Sequence, residues 1–329
     1  MLSSLVALSS LALVVVAAPS PRDAVRIVYT FTDGAYLENI AVRANGDLII
    51  NSLSNGRVYT IDPTTSSPTS SVLVQFDPQV ASGVLGIAEH APDKFAVIAA
   101  HVDFTTVTAK DVKIWSIDLN GCAKGTRSAV TLRKIADLPE AGLANGLTKF
   151  HGDVLLAADS TFGIIWSVNT RTGAVRKAAE DISMKPTNSD GAFPLGVDGV
   201  QVSRDGSRLY FSNANTRLVS QVRLDRDGGF IGNVTTVFEL PVNQPFPDDF
   251  IIGKDGSLWV TAGPNFVDRV LPDGTVVALD QFINTVGPGP TGAGNPTAVA
   301  FGRGSKAQEK ILYVAASWGV VYAIDTTRV

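Results

Sequence analysis

The chain has little of what metal clusters, redox centres and charged polymers require. Its 329 residues include one cysteine, Cys122, which excludes an intrachain disulfide and a thiolate metal cluster. Three histidines, His90, His101 and His151, leave few ligands for a zinc site. Charged residues make up only 18%, with 27 Lys plus Arg against 31 Asp plus Glu. A net charge of -4 offers no phosphate-binding surface, so nucleic acid is not an expected partner. Long amphipathic helical patterns are missing, which argues against a parallel α/β sheet. There is no serine elbow, phosphate loop or zinc-peptidase motif, and no organic cofactor is expected.

Long hydrophobic runs are confined to the amino terminus. The stretch from Leu5 to Ala18 is too short to span a bilayer comfortably, and Val16 and Ala18 fit a signal-peptidase site. Residues 1–18 read as a signal peptide, which implies the secretory pathway and no stable transmembrane anchoring. Asn233-Val234-Thr235 is the one glycosylation sequon. With 45% apolar residues, a large core can replace disulfide bracing.

The rest of the chain is repetition. A polar or small residue precedes a short apolar strand, a turn follows, and two further strands come after it. LENIAVRANGDLIINSLSNGRVYTID (37–62), VDGVQVSRDGSRLYFSNANTRLVSQVRLD (197–225) and NPTAVAFGRGSKAQEKILYVAASWGVVYAID (295–325) are three of six copies. Asp-Gly pairs at 205–206, 255–256 and 273–274 supply tight turns. The copies start at Glu38, Gly86, Asn145, Asp198, Asp248 and Asn295, a mean spacing of about 51 residues, which suits a four-stranded blade with long loops. The expected fold is an all-β, six-bladed β-propeller, one domain over residues 24–329. AVRIVYTF (24–31) precedes the first copy and can close the sixth blade as its outer strand.

In a propeller the first strand of each blade lines the central channel, so the six starting residues converge at one mouth. Glu38, Asn145, Asp198 and Asp248 form an all-oxygen set, which suits Ca²⁺ better than Mg²⁺ or Mn²⁺, and zinc least. Asn and Asp before Gly also make turns and cap strand ends. The second strands return to the same face carrying Asn51, His101, Asn213, Thr261 and Ser317 as candidate catalytic groups. Of these only His101 is an imidazole, a candidate catalytic base or equally a neutral hydrogen-bonding group in a loop. Connections at 180–196, 241–247 and 280–294, with the 101–111 loop, bring Met184, Phe193, Phe246, Phe282, Phe250 and Phe104 toward this mouth. An apolar lid over a few polar groups predicts a hydrophobic small-molecule substrate.

VDGVQVSRDGSRLYFSN and PDDFIIGKDGSLWV resemble the strand motifs of the senescence marker protein/gluconolactonase superfamily, which includes calcium-dependent phosphotriesterases and strictosidine synthase-like proteins. The resemblance covers nearly all of residues 24–329 and implies metal ligation at Glu38, Asn145, Asp198 and Asp248. This chain has Asp198 where Asn is usual, Asn39 after Glu38 instead of Gly, and Asp249 where a Gly follows the ligand. The whole chain is also similar to the fungal hetero-Diels-Alderases of tropolone-sesquiterpenoid synthesis. That likeness implies the joining of a reactive tropolone quinone methide to a humulene-type alkene. A calcium-dependent lactonase or esterase and a noncatalytic secreted binding propeller are the alternatives.

Overall fold

The computed structural model describes residues 24–126, 128–187, 194–279 and 295–329. The expected signal peptide, Phe193, Phe282 and the 280–294 connection lie outside them. The described chain forms six four-stranded antiparallel sheets, five of them running outward in chain order. The innermost strands are β2 (Leu37–Val42), β6 (Gly83–Ala91), β10 (Ala144–Lys149), β14 (Val197–Val202), β18 (Pro247–Ile252) and β22 (Pro296–Phe301). Each packs on the innermost strands of both neighbouring blades, so the ring closes. β1 (Val25–Thr30) pairs with β24 (Val320–Asp325) from Val25↔Ile324 to Thr30↔Val320 and supplies the outer strand of the sixth blade. This clasp removes a free edge that would otherwise invite pairing with another chain.

Alternation explains the strands and the core. Apolar side chains from facing blade surfaces interlock, as where Leu48, Ile50 and Tyr59 of the first blade meet Tyr313 and Ala315 of the sixth. The outermost strands face solvent on one side, as in β17 (Phe230–Glu239), and are correspondingly polar.

All six inner strands carry a one-residue bulge near their start, and these bulges define the site. Pairing jumps between Leu37 and Ile40, Val84 and Ile87, Ala144 and Leu147, Val197 and Val200, Pro247 and Phe250, and Pro296 and Ala298. Equivalent positions are therefore Glu38, Leu85, Asn145, Asp198, Asp248 and Thr297. This register corrects two sequence assignments: Leu85 replaces Gly86, and Thr297 replaces Asn295. Gly86 occupies the next position round the ring, with Asn39, Gly146, Gly199, Asp249 and Ala298. A Cβ on Gly86 would collide with Asn145 O, and one on Gly146 with Asp198 O. Neighbouring inner strands approach too closely there for a side chain.

Candidate active site at the channel mouth

The bulged positions floor a cavity of about 180 Å³. Glu38, Asn145, Asp198 and Asp248 all line it, with Leu85 as their apolar counterpart in the second blade. Leu53, Val102, Phe104, Val107, Leu143 and Leu195 form its walls with Tyr36 and Asp103, and among the described residues no Lys or Arg lines it. Carboxyls buried without a cation favour the neutral form, because burial removes their hydration and each charge repels the next. Glu38 is pushed up to about 7, chiefly by burial and further by the charge of Asp249, against a hydrogen bond from Asn145. Asp198 and Asp248 are raised well above the usual carboxylate range, by burial first and then by the neighbouring acids. Asp249, just behind the floor, is pushed up to about 7 by burial, although it accepts from Phe250 N at 2.8 Å.

The Asn145 amide braces this floor. Its Nδ2 donates to Asp198 Oδ1, while its buried Oδ1 has no hydrogen-bond partner. An all-oxygen set with an orphaned amide oxygen fits a hard cation such as Ca²⁺ in kind. Among the described residues, however, no group of three or more His, Cys, Asp or Glu side chains comes together with metal-holding geometry.

The second-strand candidates are placed differently. Asn51 is fully buried and donates to Leu85 O, tying the first blade to the second. Asn213 donates to Ser183 O at 2.9 Å and Lys185 O at 3.2 Å, holding the connection that follows the third blade. Thr261 donates to Asp249 O at 2.7 Å. These three brace the backbone and do not line the cavity. His101 neighbours Val102, which does line it, but is not itself among the lining residues. Its Nδ1 lies 3.2 Å from Asp111 Oδ2 and its Nε2 3.0 Å from Pro78 O. Ser317 is buried, and its N donates to Asn295 O at 2.9 Å; Tyr36, which does line the cavity, is a residue the motif reading passed over. Of the expected lid residues that are described, only Phe104 lines the cavity. Met184 and Phe250 are fully buried within blade cores, and Phe246 packs beside another. Tyr36, Leu53 and Leu143 carried no motif, and only the closed ring brings them together.

A larger groove of about 540 Å³ lies among the opposite turns of blades four to six. Its acids are already paired, Asp255 with Arg269 at 2.8 Å and Glu309 with Lys254 at 2.7 Å.

Fold and site together describe a propeller whose channel mouth holds a small apolar chamber floored by oxygen groups. Residues 195–317 match the SMP-30/Gluconolactonase/LRE-like region. It is 27% identical over 361 residues to "Putative hetero-Diels-Alderase asR5" of Sarocladium schorii, spanning 94% of this chain and 85% of that one. A "Putative hetero-Diels-Alderase" of Phoma sp is 27% identical over 311 residues, spanning 88% and 85%. A luciferin-regenerating enzyme shares the fold at a TM-score of 0.63 and 15% identity, over 91% of this chain and 94% of that one. The calcium-binding regucalcin of Agrobacterium tumefaciens does so at 0.59 and 15%, over 91% and 92%.

Proposed function

We propose that the cavity is the reaction chamber of a ring-forming enzyme of the hetero-Diels-Alder type, acting on an apolar substrate that carries a conjugated carbonyl. The observation that carries this reading is a chamber with mainly apolar walls above a floor of oxygen groups. The near full-length likeness to two fungal proteins bearing that name supports it. A cycloaddition needs no nucleophile. It needs two partners held in reactive geometry, which removes an entropic barrier, and a donor that draws electron density through the carbonyl. The walls at Leu53, Leu143 and Leu195 orient the apolar body. A protonated Asp198 or Asp248 donates to the carbonyl oxygen and keeps its proton throughout. The natural pair is a tropolone quinone methide and a humulene-type alkene. The test incubates both with and without the protein. Faster product formation with an altered stereochemical ratio is expected, and identical rates and ratios refute the reading.

The unpartnered Asn145 Oδ1 beside three carboxyls favours a second reading, a calcium-dependent lactonase or esterase. Glu38, Asn145, Asp198 and Asp248 would hold the ion, and a bound cation would polarise a carbonyl. A panel of lactones and aryl esters, assayed with Ca²⁺ or with EDTA, separates the two. No metal-dependent turnover anywhere on the panel removes the second.

A further inference from the structure

The second and third strands of blade two overshoot the rest of the ring. β7 (Lys94–Asp103) and β8 (Thr108–Asp118) run ten and eleven residues. Their counterparts in the other five blades run five to seven. The excess forms a two-stranded tongue at the channel mouth, paired His101↔Lys110, Val102↔Ala109 and Asp103↔Thr108. Its root is a break in the ladder: pairing shifts between Ala99 and His101, and Asp111 on the facing strand has a φ of 55°. A bulge of this kind bends a strand and interrupts its pairing.

Polar ties to the rest of the protein sit at that root. Val102 N donates to Ser82 Oγ at 3.0 Å, and His101 Nε2 lies 3.0 Å from Pro78 O. Further out, the side-chain hydrogen bonds close within the tongue. Asp103 Oδ1 accepts from Thr105 N at 2.8 Å and Thr106 N at 3.3 Å, and Thr106 Oγ1 lies 2.7 Å from Thr108 Oγ1. The contacts leaving the tongue there are apolar. Val107 and Ala109 pack on the core shared by blades two and three, and the Phe104 ring tilts against Tyr36 with centroids 5.8 Å apart.

There is space on both sides. Val102, Asp103 and Phe104 line the chamber of about 180 Å³, and the same three line a hollow of about 640 Å³ with Ser82, Thr105 and Lys110. Pockets for small organic molecules span about 300–1,000 Å³, so the chamber as it stands is tight for two reacting partners.

We propose that residues 102–109 form a hinged wall that swings from the chamber into the hollow to admit substrate, with Ser82 as its latch. This rests on the reading of the cavity as a substrate chamber and adds what sets the size of ligand it takes. From Ala100 to Phe104 the tongue is about 14 Å long at about 3.4 Å per residue. A rotation of about 20° over that length moves the tip by about 5 Å, enough to part the Phe104 and Tyr36 rings. Ser82 spans the break: its N donates to Ala100 O at 3.0 Å on the blade side, and its hydroxyl reaches Val102 beyond it. An apolar ligand replaces the contacts that Phe104 and Val107 give up, whereas a polar ligand leaves them uncompensated.

The test needs no ligand. Leu85→Cys places a thiol on the chamber floor, and mass spectrometry follows its modification by methyl methanethiosulfonate, a small reagent, and by N-phenylmaleimide, a bulkier one. The unaltered chain, whose one thiol is the buried Cys122, supplies the background. Adding Ser82→Ala should speed the bulkier reagent about fivefold, as loss of one hydrogen bond allows, and leave the small reagent's rate unchanged. Equal acceleration of both reagents, or of neither, overturns the proposal. Should Leu85→Cys fail to fold, Leu53→Cys on the chamber wall decides by the same comparison. If the ring-forming assay fails while the bulkier reagent responds, the proposed reaction falls and the hinged wall stands. If the reaction proceeds and neither reagent responds, the wall is rigid and the reaction stands.

Discussion

Replacing Asp249 with asparagine should stabilise the protein above neutral pH and leave it unchanged in acid. Asp249 is 9% exposed and belongs to the second ring position, where three of the other blades have glycine. Burial moves its carboxyl from the ordinary 3.8 up to about 7. A carboxyl whose pKa is higher folded than unfolded favours folding when protonated. Its penalty is absent below the unfolded value, grows as pH rises through the interval, and is complete above about 7. A difference of about three pKa units corresponds to about 4 kcal/mol. Asparagine removes the charge and keeps an oxygen to accept from Phe250 N, as Asp249 Oδ1 does. Urea unfolding between pH 4 and pH 8, in EDTA to keep cations away, reads the effect. The variant and the natural chain should coincide at the acid end and separate by up to about 4 kcal/mol at the alkaline end. Parallel curves, with no growing gap, would refute the reasoning and mean that Asp249 is solvated or already paired.

Three further outcomes follow from other parts of the molecule. Gly86→Ala should cost about 1–3 kcal/mol, because its Cβ meets Asn145 O on the neighbouring inner strand; an unchanged melting temperature would show the inner strands can part freely. Asp248→Asn should weaken Ca²⁺ binding by about tenfold or more in a calorimetric titration, since one anionic oxygen donor is lost, and unchanged affinity removes Asp248 from the donor set. Asn233 is exposed on the outermost strand of the fourth blade, so passage through a eukaryotic secretory pathway should add one glycan there. Mass spectrometry with and without glycosidase reads it, and a secreted chain of unmodified mass refutes it.

Repetition was legible because each blade obeys the same local rules. The Asp-Gly turns end where Gly206, Gly256 and Gly274 have positive φ, and the strand before the first copy does close the ring. The acid positions Glu38, Asp198 and Asp248 were legible for the same reason, since their spacing to the following turn is regular. Registration failed at Gly86 and Asn295, where no acid marks the bulge and the eye follows the nearest small or amide residue. Strand pairing alone identifies Leu85 and Thr297. The second-strand candidates went astray for a different reason. Chain order brings Asn51, Asn213 and Thr261 to the right face. Their hydrogen bonds to backbone carbonyls depend on which neighbouring blade lies within reach, and a single strand's pattern does not carry that information.

The ring is also unequal in a way that bears on chemistry. Blades one, three, four and five present Glu38, Asn145, Asp198 and Asp248, whereas blade two presents Leu85. Thr297 of blade six turns its hydroxyl to Leu37 O at 3.1 Å and Ala315 O at 3.2 Å, and adds nothing to the cavity. Blade two supplies Leu85, Val102, Phe104 and Val107 to the wall, with Asp103 among them, while Leu53, Leu143 and Leu195 come from other blades. A ligand therefore meets most apolar surface on the side of blade two and the floor's oxygen groups on the others, which favours one orientation. A symmetric ring of ligands would hold an ion on the axis and leave an organic substrate's direction undetermined. This asymmetry supplies that direction, and a reaction governed by alignment depends on it.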